Sequence, residues 1–370
     1  MTPTPRPAPF DGALVINKPS GRTSHDVVEA VRRLLGFRQI GHLGTLDPLA
    51  TGVLVLLLGR ATRFAQFYAA RRKRYESAFR FGFATDTYDA DGTPLGPDTA
   101  PRLDSGELER LAARLTGRFA QMPPPFSAKK IHGRPAHELA RKHLPVELKP
   151  VEVEVFEFRL LEVAGSIARF AVECGSGTYI RALAHQMGVD LGCGAHLAEI
   201  VRTAVGEFTL DQAIRLEELE QMVRAGKTAD CVVPLGGLLL ELPRVNVLPM
   251  VERRVRHGSK FQISLAQIQP GRVETPPGAT AQLDSGEWKP GRLRVFNQQD
   301  QLIAIAEVVT LAANDPAKTC QLRAEKHNAE LVRRLTNLDE KVRNTLLDGN
   351  PPLAALWAAA AQKSKPAIAG

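Results

Sequence analysis

The residue best placed to do chemistry is Asp47, in the stretch GHLGTLDPLATGVLVLLLG from Gly41 to Gly59. Its carboxylate sits among Gly41, Gly44 and Gly52, whose lack of side chains lets backbone approach a ligand closely. Pro48 fixes its own φ and biases Asp47 away from helical geometry, so the carboxylate is carried on an extended turn. The apolar run Val53 to Leu58 reads as a strand behind that turn. Such a loop is a rigid mount for a nucleophile or a base. The other reading is an Asp that bonds its own turn backbone.

Other groups are candidates to join it. Arg181 falls in the first turn of a helix predicted after Gly177, where the positive end of the helix dipole disfavours a cation unless an anion lies opposite. A carboxylate from another segment would relieve this. Tyr75 follows the basic run Arg71, Arg72, Lys73 and Arg74, a combination that suits phosphates beside an unstacked base. A solvated charge run ending in a core tyrosine fits the same residues. Lys18, in the turn Lys18-Pro19-Ser20-Gly21, is by composition an ordinary surface lysine. Asp86, Asp89 and Asp91 near Gly92 lack the glycine and closing glutamate of a calcium loop, and His185 and His196 have no partner at metal spacing. No metal site is expected.

These residues need elements to hold them. A leader over 1–10 is expected to be disordered. Ala13 to Ile16 predict a strand; Thr23 or Ser24 caps a helix with Val27, Val28, Val31, Leu34 and Leu35 on its apolar face, and Gly36 ends it. Glu76 to Ala84 predict a strand, Asp104 or Ser105 opens a short helix, and Val151–Leu161 with Ile167–Cys174 predict antiparallel neighbours. Ser176 or Thr178 is the expected cap of the helix carrying Arg181, and a further helix is expected from about Leu210 to Met222. Residues 11–235 form the expected main domain. Within it, 100–148 is an insertion whose segment QMPPPFSAKKIHGRPAHELARK carries Lys129, Lys130, Arg134, Arg141 and Lys142 along a possible flap over a nucleic-acid backbone. A solvated helix hairpin is the alternative. Short runs with Gly and Pro turns over 242–312 predict a small all-β domain, and Leu331, Leu335, Leu338, Val342 and Leu346 predict an amphipathic helix in a partly disordered tail, 313–370.

The chain of 370 residues is 44% hydrophobic, enough for a sizeable core in two or three domains. Its formal charge of +8 has the sign that suits a polyanionic partner. Four dispersed cysteines make no C-x-x-C pair and fit a reducing compartment. The N-terminal residues have no apolar signal core, and no apolar run is long enough to span a bilayer. An intracellular, cytoplasmic location is the expectation.

Three strings carry a resemblance. HLGTLDPLATG closely resembles the catalytic loop of the tRNA pseudouridine-55 synthase family, with Leu43 where that family usually has Thr; KRYE resembles its tyrosine motif; and SGTYIRALAHQMG is similar to its SxGTYIRxLxxDxG segment, with Gln186 at the commonly acidic position. KPSG and TDTYDADG are similar to two further landmarks. The resemblance implies an α+β catalytic domain with a central mixed or antiparallel sheet, a thumb-like insertion and a small C-terminal β domain of PUA-like type. It implies conversion of uridine 55 in the T loop of tRNA to pseudouridine after base flipping, with no cofactor and with monomer as the expected state. Asp47 is then the essential carboxylate, Arg181 its partner, Tyr75 the aromatic against the target base, and Tyr179 a pocket wall. His42 wedges into the vacated stack, Asp89 supports the neighbourhood, Lys18 packs beside the site, Lys130 belongs to the clamp on the T stem-loop, and Arg202 with Thr203 faces the pocket. A guide-RNA-dependent synthase and a non-catalytic tRNA-binding protein are the rival readings; a glycoside hydrolase would need a second acid that no segment supplies as well.

Overall fold

The computed structural model describes residues 10–126, 148–264, 267–269, 271 and 291–307, and the backbone of 130–131, 134–135, 308–311 and 319–324. It divides into two units, Met1–Leu239 and Leu240–Gly370.

The first unit is built on a ten-stranded sheet. In chain order its elements are β1 (Gly12–Lys18), α1 (Ser24–Leu35), β2 (Ile40–His42), β3 (Thr51–Leu58), α2 (Ala65–Tyr68), β4 (Lys73–Phe81), α3 (Ser105–Arg114), β5 (Gly117–Gln121), β6 (Lys130–Ile131), β7 (Arg134–Pro135), β8 (Val151–Ala164), β9 (Ile167–Cys174), α4 (Ile180–Asp190), β10 (Ala195–Val205), β11 (Phe208–Thr209), α5 (Leu216–Arg224) and β12 (Val232–Pro234). The sheet runs β12-β1-β3-β10-β4-β9-β8-β5, with β2 beside β3 and β11 beside β10, while β6 and β7 pair apart from it. Only the β3–β10 pairing is parallel, so the sheet is mixed.

The uninterrupted apolar run in β3 has a direct cause: Val53 to Leu58 are all 0% exposed, so both faces of this strand are covered. On one face, Leu14, Ile16, Leu54, Leu56, Phe79, Phe81 and Phe170 join Val27, Val28 and Val31 of α1, Leu108 and Leu111 of α3, and Leu183 and Met187 of α4 in one core. Each such side chain contributes about 2 kcal/mol on burial. Helix α1 begins with a reciprocal Thr23–Asp26 capping box and ends at Gly36, whose φ of 70° needs no Cβ to avoid.

Register places four residues in one transverse row on that core face. Lys18 pairs with Gly52, Gly52 with Arg202, and Arg202 with Tyr75, across β1, β3, β10 and β4. Gly52 is required there: its φ is +94°, and a Cβ would lie 2.3 Å from the Arg202 carbonyl oxygen.

Several expectations change. The segment after Cys193, for which the sequence predicts no element, forms β10, a central strand. The helix expected over Leu210–Met222 is a short 3-10 turn, Leu210–Gln212, followed by α5, because the chain pairs Ile214 with Ile16 before the helix starts. No side chain caps α4: Tyr179 occupies the cap position, and Gln121 serves its backbone instead, donating to the Tyr179 carbonyl at 3.1 Å and accepting its N–H at 2.8 Å.

The second unit is a five-stranded sheet ordered β13-β15-β16-β17-β14, comprising β13 (Arg244–Asn246), β14 (Phe261–Ser264), β15 (Arg292–Phe296), β16 (Leu302–Leu311) and β17 (Thr319–Ala324). It is not all-β: α6 (Pro249–Arg256) inserts Val255 into a core with Val245, Phe261, Ile263, Leu293 and Val295. The expected boundary at 312 and helical start of the tail at 313 are corrected by β17, which pairs with both β14 and β16 and so belongs to the sheet. The amphipathic helix expected near Leu331–Leu346, the leader over 1–9 and the Lys130 side chain lie outside the described residues.

Candidate active site

The loop between β2 and β3 carries Asp47 and is held from below and from one side. Lys18, 0% exposed rather than on the surface, donates from Nζ to the carbonyls of Pro19 at 2.8 Å, Pro48 at 3.2 Å and Ala50 at 2.6 Å. The KPSG turn adds a Gly21 N–H bond to the Pro48 carbonyl, 2.9 Å. Because Thr23 caps α1, the buried Ser24 hydroxyl is left to accept from the Leu46 N–H at 2.8 Å and donate to the Leu46 carbonyl at 3.1 Å. Arg202 reaches the other side, donating from Nε to the Val53 carbonyl at 2.7 Å and from Nη2 to the Gly44 carbonyl at 3.1 Å. The residue next to it, Thr203, is half-buried at the bulge that follows in β10.

Arg181 meets the anion that its helix position demands. Its Nε lies 3.0 Å from Asp47 Oδ2, and its Nη1 lies 3.1 Å from Asp89 Oδ2. The guanidinium also donates to the carbonyls of Thr87 at 2.9 Å and Phe126 at 3.0 Å. Asp89 is in turn fixed by the Thr87 hydroxyl at 2.5 Å and the Asp91 N–H at 3.2 Å. Exposure separates the two carboxylates: the Arg181 and Asp89 side chains are 7% exposed, that of Asp47 46%. Asp89 therefore anchors the cation, and Asp47 is the carboxylate a ligand can touch.

The titrations follow from this enclosure. Loss of hydration pushes the Asp47 carboxyl above the ordinary range; Arg181 opposes the rise, Asp89 adds to it, and Lys18 opposes it again. Burial lowers Lys18 to about 8, against the pull of Asp47. Burial likewise keeps His42 below the usual imidazole range, with the Arg202 charge adding to the effect, so the ring is neutral at pH 7. Tyr75 is 8% exposed, and burial pushes its phenol up to about 12 while Arg202 opposes the shift.

Lys18, Asp47, Tyr75, Asp89 and Arg181 are thus linked through the loop, the row across the sheet and two ion pairs, and His42 leads into the same loop from β2. Tyr179 is half-buried beside α4. The basic run before Tyr75 is not a simple phosphate face. Strand alternation buries Lys73, while Arg72 and Arg74 pair with Glu173 at 3.0 and 3.3 Å and Arg72 stacks 3.7 Å over Phe156. Gln186, exposed, donates to Asp190 at 2.7 Å. His196 is buried against the Phe83 carbonyl at 3.1 Å, and His185 stacks on Tyr88 at 3.7 Å. Sequence reasoning did not single out the loop bond of Ser24 or the role of Gln121; neither has a local pattern that distinguishes it. Among the described residues no cluster is arranged to hold a metal ion, and no helix is long and apolar enough to cross a membrane.

Comparison with known proteins points the same way. Residues 32–180 match the family model described as TruB family pseudouridylate synthase (N terminal domain), and residues 181–255 match the tRNA pseudouridylate synthase B C-terminal domain. The chain is 48% identical to a tRNA pseudouridine synthase B of Solibacter usitatus over 261 residues, covering 70% of this chain and 89% of the relative. A protein of the same name from Geobacillus thermodenitrificans is 40% identical over 69% of this chain and 86% of its own length. Among solved structures, that of a Cbf5-Nop10-Gar1 complex aligns with a TM-score of 0.62 over 85% of this chain and 84% of the matched chain; at 23% identity the likeness is one of fold.

Proposed function

From a chain that belongs to the TruB family of pseudouridylate synthases, and is therefore an isomerase, we propose a tRNA pseudouridine synthase that converts uridine 55 of the T loop. The observation that carries the reading is the half-exposed Asp47 carboxylate 3.0 Å from an almost fully buried Arg181, itself anchored by buried Asp89. A merely structural ion pair has no need to leave one carboxylate open to a ligand.

The reaction breaks the N-glycosidic bond of a uridine, turns the uracil and rejoins it to the ribose through C5. The ionised carboxylate of Asp47 is the reacting group, whether at C1′ or on the ring. Arg181 orients it and stabilises its charge without neutralising it. The target base is stacked in a folded loop and must be extruded, at a cost of a few kcal/mol. Tyr75 and Tyr179 bound its pocket, and the neutral His42 ring fills the vacated stack. Asp89 and Lys18 hold the site from behind, through Arg181 and the Pro48 and Ala50 carbonyls. Lys130 and the rest of the 100–148 insertion clamp the T stem-loop, and the protein acts as a monomer in the cytoplasm. All atoms of the uridine are retained, so the chemistry calls for no redox partner.

The test is an unmodified tRNA transcript incubated with the wild-type protein and with Asp47→Asn, the product mapped to the nucleotide. Pseudouridine at position 55 with wild type alone is the expected result. Modification only in the presence of a guide RNA, or tight binding with no product from either protein, would overturn it.

A further inference from the structure

The row across the sheet contains one buried charge that the chemistry above leaves without a task. Arg202 is 0% exposed, and among the described residues no carboxylate forms an ion pair with it. A cation buried without a counter-ion is costly, and an apolar side chain of similar volume would fill the space more cheaply. What the guanidinium supplies instead is a planar fork of five donors. Nε reaches the Val53 carbonyl at 2.7 Å, Nη2 the Gly44 carbonyl at 3.1 Å and Nη1 the Thr45 carbonyl at 3.5 Å. Val53 follows the Asp47 loop and Gly44 and Thr45 precede Asp47, so one side chain ties both stems of the loop.

Tyr75, the cross-strand partner of Arg202 in the row, lies beside the same guanidinium, whose charge opposes the rise of the phenol. Arginine can only donate, so towards Arg202 the phenol oxygen can act only as an acceptor. With burial holding this phenol at about 12, the proton stays in place at neutral pH.

We propose that Arg202 is a positioning residue that joins the Asp47 loop to Tyr75, its own cross-strand partner, as one unit and fixes their separation. This rests on the reading of Asp47 and Tyr75 as groups that face the reacting uridine. Lysine carries three donors on a single point and cannot span both stems and the phenol, so the arginine is not replaceable by charge alone.

The experiment uses full-length wild-type protein, Arg202→Lys, Tyr75→Phe, the double variant and Asp47→Asn. Single-turnover pseudouridine formation on a tRNA transcript is measured beside tRNA affinity by filter binding. Arg202→Lys is expected to bind tRNA within about twofold of wild type and to react about 10²-fold more slowly, the scale of a misplaced reacting group. The double variant is expected to be no slower than the slower single variant, because both changes disable the same unit. A wild-type rate for Arg202→Lys, or losses that multiply in the double variant, would overturn the proposal; multiplied losses are what a merely structural arginine gives. Should Arg202→Lys not fold, Arg202→Gln enters the same cycle. Product formed by Asp47→Asn would sink the functional reading alone, since the Arg202–Tyr75 coupling is a ratio of rates in which Asp47 is unchanged.

Discussion

Asp47 lies on the loop that Lys18 supports from β1, and the two groups titrate towards each other. Enclosure raises the carboxyl above its ordinary value, so the ionised form is lost at a higher pH than for a free aspartate as pH falls. Burial lowers the Lys18 ammonium to about 8. Below that value it has three N–H groups for the three carbonyls of Pro19, Pro48 and Ala50; above it the neutral amine has two, and one carbonyl is released. The profile of kcat/KM against pH is therefore expected to be a bell with its acid limb shifted above that of an ordinary aspartate and its alkaline limb near pH 8. In Lys18→Met the alkaline limb should vanish and the rate at neutral pH fall about tenfold, the loop having lost its support. An unchanged alkaline limb in that variant would assign it to another group. At this scale the sequence was informative about Asp47 and Arg181, because a glycine-rich Asp-Pro turn and a cation at a helix start each announce a local conflict. Composition alone was misleading about Lys18, whose burial depends on carbonyls 30 and 32 residues away, whereas the KPSG resemblance put it beside the site.

Among the elements, the parallel contact of β3 with β10 is what brings Gly52 under the Arg202 backbone. Gly52→Ala meets both obstacles at once, a φ of +94° and a Cβ 2.3 Å from the Arg202 carbonyl. It should cost about 3 kcal/mol and lower Tm by roughly 10 °C. Gly21→Ala is the control: its φ is +81°, but nothing lies within 4 Å of the new Cβ. That change should cost only about 1 kcal/mol. Equal losses in thermal unfolding would show that backbone strain alone, rather than the strand contact, makes Gly52 necessary. The helices and strands themselves were largely readable. Alternation revealed β8 and β9, and a cap at Thr23 or Ser24 with Gly36 bracketed α1. The α4 start was misread because Gln121, far back in the chain, does the work a local Ser or Thr cap would do.

At the scale of the whole molecule, a formal charge of +8 acts on a polyanion through released counterions. With about six phosphates contacted, tRNA affinity should fall on the order of 10³-fold between 50 and 200 mM salt. The single-turnover rate at saturating tRNA should stay constant over the same range, because the Arg181–Asp89 pair that holds Asp47 is buried. Rates measured by rapid mixing at several salt concentrations check this. A rate that fell in parallel with affinity would mean that the ion pairs are open to screening.

The amino-acid order by itself determined the pieces: an Asp held in an extended glycine-rich turn, an apolar strand behind it, a capped helix before it, and an arginine at a helix start that called for an anion. Those are decided within a few residues, by backbone sterics, capping and side-chain periodicity. Which anion Arg181 meets, that Asp89 rather than solvent sits behind it, and that Lys18, Gly52, Arg202 and Tyr75 form one row were decided only by the tertiary structure. The reason is register: strands far apart in the chain, such as β3 and β10 at Gly52 and Arg202, are aligned by the burial of a common face, and a shift of one residue would have turned Arg202 away from the loop it now supports.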